Sequence, residues 1–248
     1  MLSIIIPQYN KSAMTENCIN SIIETTSIPY EIVLVDNGST EIISDKHKKL
    51  VNYIRSDENI LFSRGCNLGA KNSKYDNLCF LNNDTIPFYG WESAVNFLDD
   101  NIGIVGSKLL YPDGTIQHAG MEFISARVGE PFSLEHRFKN LPNNNIDANK
   151  DAICPAVTGA CLFITKKDFN LIGNFDENFK NWFEDVDLCF KVRFQLNKKV
   201  LYSHKSKLIH LESATGREMN LTPMHVHSRN YFYSKWMSTF EKNKTNWL

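Results

Sequence analysis

Two kinds of hydrophobic pattern alternate along the first half of the chain. Short, uninterrupted apolar runs are typical of strands buried on both faces of a parallel sheet. Between them, apolar residues recur every three or four positions, which is the period of an amphipathic helix. Strand, helix and strand within about 35 residues indicate the parallel crossover of an α/β fold. The predicted strands are 2–6, 32–35, 51–55, 78–81 and 102–106, and the predicted helices are 14–23, 60–71 and 91–98.

The second half of the chain is less regular. A turn at 112–115 predicts a hairpin. The segment 125–151 is poor in apolar residues, which predicts an exposed, mobile loop long enough to act as a substrate lid. We expect one domain, 1–248, made of a sheet half at 1–106, a second half at 107–217 and a helical tail at 218–248. The other predicted elements are a helix at 184–197 and strands at 200–203 and 208–211.

Composition and charge exclude several classes of partner. With 42% hydrophobic residues, the 248-residue chain can bury a large core. Its net charge of −1 gives no general attraction to nucleic acid or to an anionic membrane. No apolar run approaches the ~18 residues of a membrane span, and the start has no signal-peptide pattern. The six cysteines form no C-x-x-C pair, which favours reduced core residues. We therefore expect a soluble, cytoplasmic protein.

A polar triplet, Asn82, Asn83 and Asp84, follows directly after the apolar run at 78–81. In an open α/β sheet, ligands bind outside the carboxyl ends of the strands. Asp84 is therefore well placed to meet a substrate or a metal ion. Because asparagine and aspartate also favour turns, a plain turn is the structural alternative.

Arg64, Gly65 and Asn67 place a cation, an accessible backbone and an amide near the start of the helix predicted at 60–71. Such a helix start can bind an anion, although a simple helix entry with a surface arginine has the same sequence. No G-x-G-x-x-G follows the first strand, and no P-loop motif occurs anywhere. The sequence therefore predicts neither an ordinary dinucleotide fold nor a P-loop.

Three acidic residues, Glu184, Asp185 and Asp187, crowd the first turn of the helix predicted at 184–197. Acids in this position are stabilised by the helix dipole whatever else they do. The nearby Trp182 offers a flat apolar surface that suits the face of a sugar. This neighbour favours a role for the acids in binding or catalysis.

Eight motifs occur in an order that a known family shares. In these motifs the chain resembles the inverting glycosyltransferases of family GT2, in particular bacterial O-antigen and rhamnosyl transferases. The resemblance implies the GT-A fold, an α/β fold with a Rossmann-like, mostly parallel central sheet flanked by helices and a smaller mixed sheet on the acceptor side. The motifs are SIIIPQYN, EIVLVDNGST, ENILFSRGCNLG, FLNND, YPDGTIQHAG, TGACLFI, FEDVDLCFKVR and KLIHLES.

The resemblance implies a binding site for a nucleotide-sugar donor. In it, Pro7 and Tyr9 line the nucleobase pocket, and Asp36 accepts a hydrogen bond from the pyrimidine ring N–H. A carboxylate is only an acceptor, so it can bind the imide of uracil or thymine without distinguishing the two bases. Arg64 and Asn67 would help to hold the ribose and the diphosphate. The implied nucleotide-binding residues are Pro7, Tyr9, Asn10, Asp36, Arg64, Asn67 and Asn83.

The resemblance also implies a divalent metal ion, Mn²⁺ or Mg²⁺. Asp84 matches the last acid of the family's D-x-D motif, and Asn82 stands at the position of the first acid. Metal binding would therefore rest on Asp84, the donor diphosphate and His210. A lone histidine on an apolar strand is also a common hydrogen-bonded core residue, so both interpretations of His210 stay open. An imidazole ligand favours Mn²⁺, whereas one carboxylate with substrate phosphates is normal for Mg²⁺.

For catalysis, the resemblance implies that Asp185 is the general base that deprotonates the acceptor hydroxyl. Such a base contributes ~10²- to 10⁴-fold in rate. Glu184 would contact the acceptor or act as an alternate base, and Asp187 would be structural or an acceptor-side carboxylate. The other residues implied to lie near the donor sugar or the acceptor are Trp182, Thr158, Gly159 and His118.

The expected function is metal-dependent, inverting transfer of a sugar from a UDP or dTDP donor to a hydroxyl of a saccharide or lipid-linked glycan. Its expected setting is the synthesis of bacterial surface polysaccharide, O-antigen or capsule, with peripheral association at the inner membrane face. There the aromatic, basic segment 224–240 is a candidate docking element. A nucleotidyltransferase is disfavoured, because 7–10 lacks a glycine-rich, basic loop for a triphosphate. A catalytically silent scaffold module of a larger synthase stays open, and so does the oligomeric state.

Overall fold

A computed structural model describes residues 1–124, 132–212 and 222–243. The strands are β1 (Leu2–Gln8), β2 (Tyr30–Asn37), β3 (Asn52–Ser56), β4 (Asn77–Leu81), β5 (Thr85–Pro87), β6 (Ile102–Leu110), β7 (Ile116–His118), β8 (Met121–Ile124), β9 (Ser133–His136), β10 (Ala152–Ile153), β11 (Cys161–Thr165) and β12 (Lys199–His210). The helices are α1 (Ser12–Thr25), α2 (Asp45–Lys48), α3 (Leu61–Lys71), α4 (Lys166–Leu171), α5 (Glu184–Gln195) and α6 (Thr222–Lys242). Two 3₁₀ helices lie at Trp91–Phe97 and Asp147–Asn149.

Ten of these strands form one sheet in the order β10-β12-β6-β11-β4-β1-β2-β3, with β5 paired to β12 and β7 to β6. β1 is parallel to β2 and β4, and β2 is parallel to β3, as the predicted crossovers require. β11 is antiparallel to β4 and β6, whereas β6 is parallel to β12. The carboxyl ends of β1, β2, β4, β6 and β12 therefore share one edge of the sheet, the edge at which β11 begins.

The smaller sheet is a hairpin of β8 and β9, in which Met121 pairs with His136. The two strands are antiparallel, so the expectation of a mixed second sheet is corrected to an antiparallel one. Part of the segment expected to be an exposed loop forms β9, and Phe132 beside it is buried. Aromatic packing explains this difference, because the Phe132 ring stacks on Phe240 of α6 at 4.2 Å. Residues 125–131 of the expected loop lie outside the described residues.

The two faces of the large sheet bury different residues of the same strands. Neighbouring side chains of a strand point to opposite faces. Ile4 and Ile6 pack on the face that α1 covers, and Ile5 packs on the face that α3 covers. Gly69 lets α3 approach β1 closely, because a Cβ at this position would lie 2.4 Å from Cγ2 of Ile5. The predicted pattern of buried strands and amphipathic helices thus forms a core on both sides of the sheet.

Two elements differ from the sequence-based prediction. The segment predicted as a helix at 91–98 is a 3₁₀ helix, and the hydroxyl of Ser206 donates to the Trp91 carbonyl at 2.6 Å, where it competes with helical N–H donors. The strands predicted at 200–203 and 208–211 form the single strand β12. An irregularity between Ser203 and Lys207 allows this strand to stay paired with β6 along its length.

Helix α6 packs against the rest of the protein. Phe232 and Trp236 are 1% and 5% exposed. The indole Nε1 of Trp236 donates to Oδ1 of Asp187 at 2.8 Å, and the ammonium of Lys235 lies 2.8 Å from the same oxygen. This packing buries part of the aromatic segment, whereas Val226 and Met237 stay exposed, and docking of the segment stays a prediction. The predicted boundary between 217 and 218 lies outside the described residues. No helix in the described ranges is both long and apolar enough to cross a bilayer.

Candidate active site

A cavity of about 650 Å³ lies at the carboxyl edge of the large sheet. Its volume falls within the ~300–1,000 Å³ that is usual for ligand pockets. The sheet order explains its position, because strand ends distant in sequence meet at this edge. Ten of the predicted site residues line the cavity: Pro7, Tyr9, Asn83, Asp84, Thr158, Gly159, Trp182, Glu184, Asp185 and His210.

Asp84 and His210 form a pair on the cavity wall. Oδ1 of Asp84 lies 3.2 Å from Nε2 of His210. The side-chain amide of Gln117 binds the other side of this histidine: Oε1 lies 2.6 Å from Nδ1, and Nε2 donates to the His210 carbonyl at 3.4 Å. Because the carbonyl can only accept, this contact orients the amide and leaves its oxygen facing Nδ1. His210 Nδ1 therefore carries a proton and donates it to Gln117.

This arrangement fits a divalent cation. With the proton on Nδ1, a neutral His210 directs the lone pair of Nε2 towards Asp84, and Nε2 accepts a bond from Asn82 Nδ2 at 3.3 Å. Metal-binding histidines usually donate their second ring N–H to an oxygen, as His210 does. Within the described residues no group of three or more His, Cys, Asp or Glu side chains could hold a metal ion. Among the described residues, Asp84 and His210 are thus the two candidate ligands, and substrate or water can add others.

Asp185 is held rigidly at the start of α5. Its Oδ2 accepts from the Gly159 N–H and its Oδ1 from the Val186 N–H, both at 2.8 Å. Burial raises the pKa of Asp185, and these backbone donors oppose the rise. Gly159 permits the close approach, because a Cβ there would lie 3.2 Å from Cβ of Asp185. The result is an oriented carboxylate of increased basicity that faces the cavity.

Glu184 differs from its neighbour. Burial, followed by the charges of Asp185 and Asp187, raises the pKa of Glu184 to about 8. Its Oε2 is buried and has no hydrogen-bond partner among the residues that the structure describes. Near neutral pH, Glu184 therefore carries a proton.

The chain enters α5 through three consecutive left-handed residues. Asn181, Trp182 and Phe183 have φ angles of 65°, 62° and 67°. Such conformations cost about 1–3 kcal/mol each for non-glycine residues and concentrate at functional sites. Here they leave Trp182 36% exposed beside the cavity, where its ring lies edge-on to His225 of α6 at 5.4 Å. Trp182 thus lines the cavity, and its contact with a sugar stays a prediction.

Asp36 and Asn10 do not line the cavity. Asp36 is fully buried and accepts hydrogen bonds from the Tyr53 hydroxyl, the Arg55 guanidinium and the Ser39 N–H. Although burial acts to raise its pKa, these donors and the Arg55 charge hold the pKa of Asp36 below its ordinary value. Asn10 accepts from the Thr40 N–H at 2.8 Å and so ties β1 to the loop after β2. Asn37 takes the place of Asp36 on the cavity wall.

Arg64 and Asn67 border a different cleft, of about 500 Å³. Nε of Arg64 lies 3.3 Å from Oε2 of Glu177. The amide of Asn67 donates to the Phe175 carbonyl at 3.0 Å and accepts from the Phe175 N–H at 3.1 Å. The prediction that these residues hold the diphosphate is therefore corrected, because both hold the loop between α4 and α5 against α3.

Asp187 and His118 are also absent from the cavity wall. Both are fully buried. Asp187 binds Trp236 and Lys235 of α6. Of its two expected roles, a structural residue or an acceptor-side carboxylate, these contacts favour the structural one. His118 lies behind His136, which lines the cavity and which the sequence analysis missed. Other missed residues are Gln117, which directly precedes His118 in its motif, and the α6 residues His225, Arg229 and Tyr233, whose pattern carries no sign of a distant site.

The sheet order and the groups at its carboxyl edge define the molecule as a GT-A type α/β protein. The chain belongs to glycosyl transferase family 2, because the model of that family matches residues 3–173. GalNAc-T7, solved with UDP, GalNAc and Mn²⁺, superposes with a TM-score of 0.76 at 17% identity, over 97% of this chain and 50% of that chain. The predicted family and the predicted fold are both confirmed.

Two curated proteins that are similar to the chain in sequence have names that refer to polysaccharide synthesis. The O-antigen biosynthesis protein RfbC of Myxococcus xanthus is 29% identical over 227 residues, which cover 87% of this chain and 18% of that protein. The chondroitin synthase of Pasteurella multocida (strain Pm70) is 26% identical over 223 residues, covering 77% of this chain and 23% of that protein. The chain thus spans less than a quarter of the length of either relative.

Proposed function

We propose that the protein transfers a sugar, with inversion, from a UDP or dTDP donor to a hydroxyl of a saccharide or lipid-linked glycan. The observation that carries the proposal is the placement of an oriented carboxylate, Asp185, and of the Asp84–His210 pair on the walls of one cavity. Family membership supports sugar transfer, and GalNAc-T7, solved with UDP, supports a uridine donor. The wall formed by Pro7, Tyr9 and Asn37 is the proposed nucleotide side.

Asp185 acts as the general base. The acceptor oxygen forms a bond to the anomeric carbon while the bond from that carbon to the diphosphate oxygen breaks. The hydroxyl proton moves to Asp185, and the electron pair leaves with the nucleoside diphosphate. A single displacement from the side opposite the leaving group inverts the anomeric centre. The N–H donors of Gly159 and Val186 hold the carboxylate in one orientation, so little reorganisation is needed when the acceptor binds.

Asp84 and His210 would hold a divalent cation, for which Mn²⁺ and Mg²⁺ are the candidates. When bound, the cation neutralises charge on the departing diphosphate. The imidazole in the pair favours Mn²⁺, the ion in the GalNAc-T7 structure. Gln117 keeps the His210 proton on Nδ1 and thereby leaves Nε2 directed at the cation position. Asn82, at the first position of the motif, has its Nδ2 3.3 Å from the same Nε2, so its amide has to turn away for this nitrogen to bind a cation.

Asp36 reaches a pyrimidine only if its present partners give way. Arg55 is 41% exposed in its side chain, so it can move aside when a base enters. We therefore keep Asp36 in the proposed donor site and leave Arg64, Asn67 and Asn10 out.

The proposed setting is synthesis of a bacterial surface polysaccharide at the cytoplasmic face of the membrane, supported by the name of the RfbC relative. A single domain that acts as one module of a longer synthase is equally compatible with the short coverage of the relatives.

Nucleoside diphosphate release from UDP, dTDP and GDP sugars, each with Mn²⁺, Mg²⁺ or EDTA, tests the proposal. Turnover of one UDP or dTDP sugar, lost in EDTA and in Asp84→Ala, is the expected result. Binding of a nucleotide without turnover of any donor, with acceptor glycans present, would favour the silent scaffold module. Turnover of GDP sugars alone would contradict the proposed donor.

A further inference from the structure

Two histidines form a direct pair beside the cavity. His118 of β7 is fully buried, and His136 of β9 lines the cavity. Their Nδ1 atoms lie 2.8 Å apart, and their rings meet edge-on at 4.8 Å. The other nitrogen of His118, Nε2, accepts from the Thr158 N–H at 3.4 Å. Nothing in the proposed reaction uses this chain of contacts.

The backbone donor fixes the tautomer of both rings. An amide N–H can only donate, so Nε2 of His118 carries no proton, and the proton of this imidazole is on Nδ1. Nδ1 of His118 therefore donates to Nδ1 of His136. Because Nδ1 of His136 accepts, the proton of that ring is on Nε2. His136 consequently has an N–H left to offer to the cavity.

The same contacts keep both rings neutral. A second proton on His136 would place two N–H groups against each other across the 2.8 Å contact. A second proton on His118 would point at the Thr158 N–H. Consistent with this geometry, burial and then the charges of Lys139 and His210 lower the pKa of His136 to about 4. Burial above all holds the pKa of His118 well below its usual value.

The pair lies on the sugar side of the cavity. The proposed nucleotide side is at the carboxyl ends of β1 and β2, whereas β7 pairs with β6, next to β12. Thr158, which binds His118, precedes Gly159, which binds the proposed base Asp185. The hairpin that carries His136 packs on α6 through Phe132. A group that His136 binds therefore belongs to a sugar near the reacting atoms and not to the nucleobase.

We propose that His136 is a specificity-determining residue that donates its Nε2–H to an uncharged oxygen of a bound sugar, either a hydroxyl or an amide carbonyl. His118 is the positioning residue that holds the proton on that nitrogen. A phosphate would gain most from a cationic histidine, which this pair resists, so the chemistry favours a neutral partner. The inference rests on the proposed function, and the sugar is either that of the donor or that of the acceptor.

The first test measures the tautomers directly and does not depend on activity. Nitrogen-15 spectra of the imidazoles are recorded for the full chain at neutral pH, and the signals are assigned by their loss in His136→Gln and His118→Gln. We expect a neutral ring protonated at Nδ1 for His118 and a neutral ring protonated at Nε2 for His136. A cationic His136, or one protonated at Nδ1, would overturn the inference.

The second test uses kinetics with the donor and acceptor that the wild type turns over. His136→Ala should either raise the acceptor KM or lower kcat/KM for donor hydrolysis. The expected change is about 3- to 10-fold, the loss expected for one neutral hydrogen bond. A rise in the acceptor KM alone identifies the acceptor sugar, and a fall in kcat/KM for donor hydrolysis without acceptor identifies the donor sugar. His136→Gln keeps a neutral N–H and should recover most of the loss. Glu122→Gln, an exposed change on the paired strand β8, is the matched control and should have no effect.

The remaining outcomes separate the two claims. If His136→Ala weakens binding of the free nucleoside diphosphate, or changes neither sugar-dependent constant, the inference is wrong while the proposed function stands. If the wild type turns over no donor, the proposed function fails and the sugar role of His136 fails with it, whatever the tautomers are. Melting curves of each variant show whether a loss is due to unfolding.

Discussion

At the level of single residues, neighbouring acids at the start of α5 have different surroundings. Asp185 accepts two backbone N–H bonds, which stabilise its charge. Glu184 is buried without a partner for Oε2 among the described residues, and its pKa is about 8. A pair whose environments separate the two pKa values is typical of an active site. This difference is consistent with the proposal that Asp185, and not Glu184, is the base.

The raised pKa of Glu184 predicts a pH-dependent stability. The folded protein keeps a proton that the unfolded chain, with an ordinary value of 4.5, releases. The retained proton stabilises the folded protein fully below the ordinary pKa of 4.5. This stabilisation is lost as pH rises through about 8. We expect the free energy of unfolding to fall by about 4–5 kcal/mol across this window. Urea titrations should show a flatter profile for Glu184→Gln, whereas Glu122→Gln, on an exposed position of β8, should follow the wild type. Equal slopes for all three proteins would contradict the assignment.

Gln117 predicts a measurable effect on metal affinity. Its amide oxygen accepts the Nδ1 proton of His210 and so sets the tautomer that binds a cation. Losing such a contact typically lowers metal affinity by about 10- to 100-fold. Gln117→Leu should show this loss when Mn²⁺ binding is followed by electron paramagnetic resonance with UDP present. Gln117→Glu keeps an acceptor for Nδ1 and should bind far more tightly than the leucine variant. Wild-type affinity in Gln117→Leu would argue against His210 as a ligand.

At the level of elements, α5 and α6 are joined through one buried acid. Asp187 accepts from Trp236 and binds Lys235, so helix α6 is part of the folded core and contributes the cavity residues His225, Arg229 and Tyr233. The sequence pattern of α5 identified its acids but assigned only some of their roles. An acid in a helix's first turn has the same sequence pattern whether its partner is a substrate or another helix. The role of Asp187 follows from its contacts with α6, which is distant in sequence.

Asp187→Ala should therefore destabilise the whole protein. Removing this carboxylate leaves the buried indole N–H of Trp236 without its acceptor, which costs about 1–3 kcal/mol, while Lys235 keeps Asp176 as a partner at 2.6 Å. Urea unfolding measures the change. Val226→Ala is the matched control on the same helix, since Val226 is 40% exposed, and it should shift stability by no more than about 0.5 kcal/mol. A wild-type midpoint for Asp187→Ala would contradict the view that α6 belongs to the core.

At the level of the whole molecule, the strand order determines which motifs meet. The buried strands and the motif order were enough to predict the sheet and the convergence of Asp84, Asp185 and His210 on one edge. The cover of Asp36 by Arg55 and the use of Asn67 as a loop anchor were not predictable. Both depend on side-chain partners from other elements, and local patterns carry no information about such partners. The left-handed residues at 181–183 include no glycine, so the sequence pattern did not predict this conformation.

The central claim is that Asp185 is the base of a sugar transfer at this cavity. The most direct measurement is the rate of transfer for Asp185→Asn with the donor that the wild type uses, together with its affinity for the nucleoside diphosphate. We predict a loss of about 10²- to 10⁴-fold in kcat with nucleotide affinity unchanged, because the amide keeps the shape and cannot accept the proton. Asp147→Asn, at an exposed site, should behave as the wild type. Transfer by Asp185→Asn at the wild-type rate would contradict the account.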